Sequence, residues 1–206
     1  MLVKLNLGCG LQVQEGWLNV DYALGARLTR LPLFHIFSEK LSLFNVDWDS
    51  RIFIHDLRKR FPWGDQTVDV IYSSHTLEHF SQEEGLLFLN ECHRVLRNGG
   101  LIRIVVPDLS CVVADYISGQ IRADYLLERL GVAYGSGKKG IKRKLAPFIE
   151  FPHKCMYDTR ALLTVLQETG FKCETKQPFS SSITDISKIE QVDRTVNAVI
   201  VEGTKL

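Results

Sequence analysis

The sequence predicts a doubly wound α/β sheet, and three observations carry that expectation. Seven short apolar runs recur along the 206 residues. Several are nearly continuous in Val, Ile and Leu, as in strands covered on both faces of a parallel sheet. Capped, amphipathic stretches lie between them, and strands alternating with helices build open α/β sheets. The length suits one well-buried domain, 1–206.

The strand-like runs, in order, are Val3–Leu7, Trp17–Val20, Arg51–His55, Val68–Ser73, Leu101–Val106, Phe171–Gln177 and Val196–Glu202. The best helix signal is "SQEEGLLFLNECHRVLRNGG". Ser81 and Glu84 form a capping box there. Leu87, Cys92, Val95 and Leu96 approximate an apolar stripe, and Gly99 and Gly100 stop the helix. A second helix is predicted in "YDTRALLTVLQETGF", capped by Asp158 or Thr159 and ended by Gly170. Two stretches, 22–50 and 109–156, exceed a minimal α/β unit. Each follows the carboxyl end of a strand, the edge at which open α/β sheets bind ligands, so lid or acceptor-binding elements are expected there.

Composition narrows the function. Apolar residues make up 45% and charged residues 24%, values of an ordinary soluble protein. A net charge of +1 argues against a dedicated nucleic-acid binder. No apolar run reaches membrane-spanning length, and no secretory signal is recognisable at the start. Cys9, Cys92, Cys111, Cys155 and Cys173 form no C-x-x-C pair. They read as reduced thiols of a cytoplasmic protein.

The chemistry concentrates first in "LNLGCGLQVQEGWLNVD". Gly8 and Gly10 let the backbone turn tightly after a strand and let a ligand approach. An acid at the end of the next strand, Asp21, can accept from two ribose hydroxyls. A dinucleotide site needs a third small residue, a helix that holds a pyrophosphate and an acid about 20 residues on. Here the sixth position is Val13, and Asp21 follows Gly10 by eleven residues. At about 1.5 Å rise per residue, Leu11 to Gly16 has room for only one or two helical turns. A ligand with a ribose and no phosphate fits better.

At these residues the chain resembles the class I S-adenosylmethionine-dependent methyltransferases. "LNLGCG" is similar to their first motif, and Asp21 to their ribose-binding acid. "HDLRKRFPWGDQTVDVIYSSHTLEHF" resembles the third and fourth strands with their links. "ECHRVLRNGGLIRIVVPDL" resembles the helix, Gly-Gly turn and fifth strand. "HKCMYDTRALLTVLQETGF" and "TVNAVIVEGTKL" resemble the last helix and last strand. The resemblance implies a Rossmann-like methyltransferase sheet of about seven strands, mostly parallel with an antiparallel last strand and helices on both faces. It implies S-adenosylmethionine as cofactor. The shortened first helix and "GWLNVD" resemble a variant group whose members often accompany glycan-building enzymes.

Carried over by position, Gly8, Cys9 and Gly10 would face the methionine and sugar portions of the cofactor. Asp21 would bind the ribose, and Tyr22 would pack on the adenine. Asp56 would accept from the adenine amine beside the Leu57 amide. Ser73 and Ser74 would lie beside the sulfonium. The family often has an acid at the position of Asn6, whose amide can still accept from the methionine ammonium group. "SSHT" is unlike the Pro-Pro motif of enzymes that methylate nucleic-acid bases, so a small-molecule or glycan-related acceptor is expected.

Methyl transfer from a sulfonium asks mainly for alignment of nucleophile and methyl group. A hydroxyl nucleophile also benefits from a general base. The candidates are His75, His79, Asp108 and His153. The alternative roles are a brace on the following helix for Glu78 and His79, an N-cap for Asp108 and a loop position for His153. "HTLEH" is not H-E-x-x-H, so no metal is expected. In the first insert, Leu33, Phe37, Leu41 and Phe44 recur at near-helical spacing, which suits core or dimer packing, an acceptor lid or a lipid-facing surface. In the second, "KKGIKRK" places Lys138, Lys139, Lys142, Arg143 and Lys144 together, a solvated run or a contact for an anionic acceptor or a lipid head group. Two other readings stay open: an NAD(P)-dependent reductase on a related sheet, and a non-catalytic partner protein of methyltransferase-like fold.

Overall fold

The apolar runs become strands because side chains on both of their faces are covered. Leu5, Leu7, Ile71, Ile102, Ile104 and Val201 are all excluded from solvent. The computed structural model describes residues 2–28, 30, 48–133 and 151–206. Its strands are β1 (Lys4–Leu7), β2 (Leu18–Asp21), β3 (Phe53–Ile54), β4 (Val68–Ser74), β5 (Leu96–Pro107), β6 (Phe171–Thr175) and β7 (Ala198–Lys205). They form one seven-stranded sheet in the order β3-β2-β1-β4-β5-β7-β6. Neighbours among β1 to β5 pair in parallel. β7 runs antiparallel to both β5 and β6. The expected α/β sheet, mostly parallel with an antiparallel last strand, is the one observed. From β1 the chain builds outward on one side through β2 and β3. It then returns to add β4 on the other side. The strand order therefore reverses beside β1, the place where such sheets form a ligand crevice.

One face of the sheet is covered by α2 (Gln82–Val95) and α5 (Thr159–Glu168). Phe88, Leu89, Cys92 and Val95 of α2 and Leu162 and Leu166 of α5 share a core with Leu5, Ile71, Ile102 and Val201. On the other face Val70, Tyr72, Val105 and Ile200 meet Trp17 and the short helix α6 (Ile186–Ile189). The remaining helices are α1 (Leu24–Leu28), α3 (Leu109–Ile117), α4 (Ala123–Arg129) and α7 (Val192–Thr195). No helix among the described residues is long and apolar enough to cross a membrane.

α2 starts as its sequence dictates. The Ser81 hydroxyl accepts from the Glu84 amide at 3.2 Å, and the Glu84 carboxylate accepts from the Ser81 amide at 2.9 Å. Ser81→Ala is therefore expected to cost about 1 kcal/mol, read as a lower urea midpoint at unchanged slope. Cys92, Val95 and Leu96 are buried as the stripe predicts, but Leu87 is 57% exposed and Gly85, Phe88 and Leu89 face inward in its stead. Nor do Gly99 and Gly100 end the helix. Leu96 already turns to extended backbone, and the glycines fall where the register between β4 and β5 shifts. α5 has the expected cap, with Asp158 accepting from Ala161 N at 2.7 Å. β3 is shorter than expected because it pairs only with the end of β2.

The first insert contributes α1, and the second contributes α3 and α4. The Leu33–Phe44 and Lys138–Lys144 stretches lie outside the described residues.

Candidate cofactor site at the reversal of strand order

β1 ends at Leu7, and the next two amides, of Gly8 and Cys9, both donate to the Val20 carbonyl of β2 at 2.9 and 3.0 Å. The turn is thus sewn to its neighbouring strand. Gly8 has φ +74, and a Cβ built on it would lie 2.0 Å from Thr76 Oγ1. Gly10 has φ +54, but nothing lies within 4 Å of the Cβ it lacks. The two glycines serve different ends: Gly8 lets β1 pack against the end of β4, and Gly10 leaves bare backbone open to a ligand. Gly8→Ala is expected to destabilise the fold by about 2–3 kcal/mol through strain and overpacking. Thr76→Ala in the same chain should recover part of that in thermal melts.

Leu11 to Gly16 forms turns and no helix. Asn6 and Asn19 hold these turns from beneath. Asn6 Nδ2 donates to Gln12 O at 2.9 Å and to Asn19 Oδ1 at 3.0 Å, and Asn19 in turn bonds the Gln14 backbone. Asn6 is 3% exposed and braces the turn, lying outside the wall of the cavity described next.

A cavity of about 480 Å³ opens over the carboxyl ends of β1, β2 and β4. Gly8, Cys9, Gly10, Asp21, Tyr22, Asp56, Leu57 and Ser74 line it. Asp21 Oδ2 accepts from Gly10 N and Oδ1 from Ala23 N, each at 2.7 Å. A carboxylate has about four acceptor sites, so these bonds orient Asp21 and leave capacity for two ligand hydroxyls. The Tyr22 ring lies under the Arg27 guanidinium at 4.5 Å. Asp56 is gripped through both oxygens by Arg58, at 2.8 and 2.9 Å, which holds its carboxyl below the usual carboxylate range. Burial, then the Asp21 charge, pushes the Cys9 thiol up to about 12, so it stays neutral.

The far end of the cavity is built by the end of β4 and the turn Leu77–His79. Ser73 donates to Leu7 O at 3.0 Å and points away from the cavity. Ser74 lines it, and its buried hydroxyl has no hydrogen-bond partner among the described residues. His75 has φ +52, an uncommon backbone state for a residue with a side chain. Its Nε2 meets Arg194 O at 2.9 Å, and its Nδ1 lies 3.4 Å from Glu78 Oε1. Burial lowers the basicity of His75, but the Glu78 carboxylate and the Arg194 carbonyl outweigh it and hold its pKa above the ordinary value. His79 also lines the cavity, with Phe80, Phe151, Pro152, Lys154 and Arg194; the Lys154 ammonium pairs with Glu84 at 2.9 Å, and Glu84 in turn lies 3.8 Å from Arg58.

Asp108 and His153 do not line the cavity. Asp108 caps α3 by accepting from Ser110 N at 2.9 Å. His153 stands behind His79, with ring centroids 5.1 Å apart. The cap of α2 is made by Ser81 and Glu84, not by Glu78 or His79. The sequence reading missed Arg58, Thr76, Lys154 and Arg194. Arg58, Thr76 and Lys154 sit one or two positions from candidate residues. Arg194 carries no local signal.

A crossover sheet with an open glycine turn, an oriented acid on β2 and a second acid after β3 defines a Rossmann-like α/β protein with a ligand crevice at its reversal of strand order. Residues 5–104, just under half of the chain, match the model of a family described as a methyltransferase domain. No curated protein matches the chain in sequence. Several solved structures share the fold. An S-adenosylmethionine-dependent methyltransferase from Methanosarcina mazei is 15% identical, with a TM-score of 0.54 over 98% of this chain and 92% of that one. The YcgJ protein of Bacillus subtilis is 14% identical, with a TM-score of 0.53 over 99% and 92%. PigF with S-adenosylhomocysteine is 13% identical, with a TM-score of 0.50 over 100% of this chain and 56% of that one.

The cofactor implied is S-adenosylmethionine, and the residues present fit it. The space at Gly10 and the oriented Asp21 carboxylate face one cavity.

Proposed function

We propose that the protein transfers a methyl group from S-adenosylmethionine to a small-molecule or glycan-related acceptor. The single observation that carries this reading is one cavity lined both by Gly8, Gly10, Asp21, Asp56 and Leu57, a set suited to a nucleoside, and by His75, His79 and Arg194. When bound, the cofactor supplies an activated methyl group. The chain's own residues then orient and exclude. Gly10 leaves backbone open beside the sugar, Asp21 accepts from the ribose hydroxyls, and Asp56 accepts from the adenine amine. The helix-free Leu11–Gly16 turn gives a pyrophosphate no helix N-terminus, which favours this reading over a nicotinamide enzyme.

At the end of β4, His75 and His79 offer imidazoles to the acceptor, and Arg194 adds a positive charge that suits an anionic acceptor, while the Lys154 ammonium is paired with Glu84 at 2.9 Å. Phe151 and Pro152 keep part of the wall apolar. The resemblance of "GWLNVD" to the variant group supports a glycan-related acceptor. The five free thiols suit a reducing compartment such as the cytoplasm.

Calorimetry with S-adenosylhomocysteine tests the cofactor. Methyl transfer into extracts of the source cell, with mass spectrometry of the product, tests the acceptor. Saturable binding and a product heavier by one methyl group are expected. Absence of S-adenosylhomocysteine binding, or tight NADH binding in its place, overturns the reading.

A further inference from the structure

Glu78 is 1% exposed, and neither of its carboxylate oxygens has a hydrogen-bond partner among the described residues. A buried, unsatisfied carboxylate is costly, and native proteins keep few of them. Its neighbours are imidazoles. His75 Nδ1 lies 3.4 Å and His153 Nε2 3.9 Å from Glu78 Oε1. One ligand atom each of Glu78, His79 and His153 lie within 4.8 Å of one another.

The histidines are wired in a particular sense. His153 Nδ1 meets Leu130 O at 2.8 Å, so that nitrogen carries the proton and Nε2 presents its lone pair toward Glu78. His75 Nε2 donates to Arg194 O, which directs Nδ1 toward the same oxygen. His79 Nδ1 faces Pro152 O at 3.4 Å. A carbonyl behind one ring nitrogen, fixing the tautomer so that the other is free, is the arrangement around metal-bound histidines. The His153 ring is also seated on Gly131, where a Cβ would come within 2.9 Å of it.

We propose that Glu78, His79 and His153 form a binding site for a divalent transition-metal cation of the zinc type, with His75 adjoining it. Two imidazoles and a carboxylate are a donor set that such ions accept, and they leave a coordination position open. Zinc-type ligand bonds are about 2.0–2.2 Å, so facing ligand atoms stand about 4 Å apart at most. The observed spacing closes to that with side-chain shifts of under about 1 Å. His79 lines the acceptor end of the cavity, so a cation here is a Lewis acid facing the place for an acceptor oxygen. That role rests on the proposed methyl transfer; the binding of the cation does not.

The test is calorimetry and elemental analysis of chelator-stripped protein titrated with Zn2+ alone, with Mg2+ as a comparison. One Zn2+ per chain and little response to Mg2+ are expected. Glu78→Gln, His79→Ala and His153→Gln should each weaken Zn2+ binding at least about tenfold. His79→Ala, at the less buried position, keeps the test valid where Glu78→Gln alters the melting temperature. Zn2+ affinity unchanged in all three variants, or no Zn2+ uptake by the parent chain, overturns the proposal. S-adenosylhomocysteine titrated into the same stripped protein separates the two readings: binding without Zn2+ uptake removes the metal and leaves the methyl-transfer reading standing.

Discussion

Arg103→Ala is expected to destabilise the protein by about 3–5 kcal/mol, enough to leave much of the chain unfolded at moderate temperature. Arg103 is fully buried on β5, and all five of its N–H groups are used. Nε and one terminal nitrogen grip both oxygens of Glu190 at 2.8 and 2.9 Å. The rest reach Glu202 at 3.4 Å and the carbonyls of Ser180 and Gln177 at 2.9 and 3.1 Å. Alanine would strand two buried carboxylates together with two carbonyls. Arg103→Met with Glu190→Leu and Glu202→Met should cost much less than the single change, because no unpaired charge remains. Urea titrations of the single and triple variants read the difference.

The same network gives stability a direction in acid. Burial would raise the Glu202 pKa, but hydrogen bonds from Ser181 and Ser182, with the Arg103 charge, hold it below the ordinary carboxylate value. A depressed carboxyl contributes stability that is complete above its unfolded pKa and is lost as pH falls through the folded one. The melting temperature should therefore drop below the usual carboxylate range.

Asp21→Ala should weaken S-adenosylhomocysteine binding at least about 100-fold. Two hydrogen bonds to a charged acceptor contribute about 1.5 kcal/mol or more each, and about 2.7 kcal/mol is a hundredfold in Kd. Asp21→Asn keeps the shape and one acceptor, so it should fall between parent and alanine. Because Asp21 also receives the Gly10 and Ala23 amides, melting temperatures must accompany the calorimetry. Affinity that tracks carboxylate character while the melts stay close assigns the loss to the ligand. Unchanged affinity in Asp21→Ala would remove Asp21 from the site.

What was legible in the sequence follows from which interactions are local. Strand runs, the Ser81–Glu84 box and the glycine turn are written in neighbouring residues, and the seven strands were readable. Within α2 only Leu87 was misassigned, because Leu87 and Phe88 are both apolar and packing decides which faces in. Arg103 was invisible inside an apolar run, since its partners Glu190 and Glu202 lie far along the chain. The site divided in the same way. The residues proposed to hold the nucleoside fall within short segments after β1, β2 and β3. The rest of the site is assembled by tertiary contacts: Lys154 and Cys155 donate their amides to Glu78 O, drawing His153 beside His79. Spacing within "HTLEH" holds no trace of that third residue.

The placement of β7 between β5 and β6 has a consequence for how the chain is made. Both flanking strands leave the ribosome before the one that joins them. Until β7 arrives, β5 and β6 each present an unpaired edge, and such edges recruit strands of other chains. A nascent chain paused before β7 would thus be the most aggregation-prone form of this protein, and chaperone capture should be strongest at that point of synthesis.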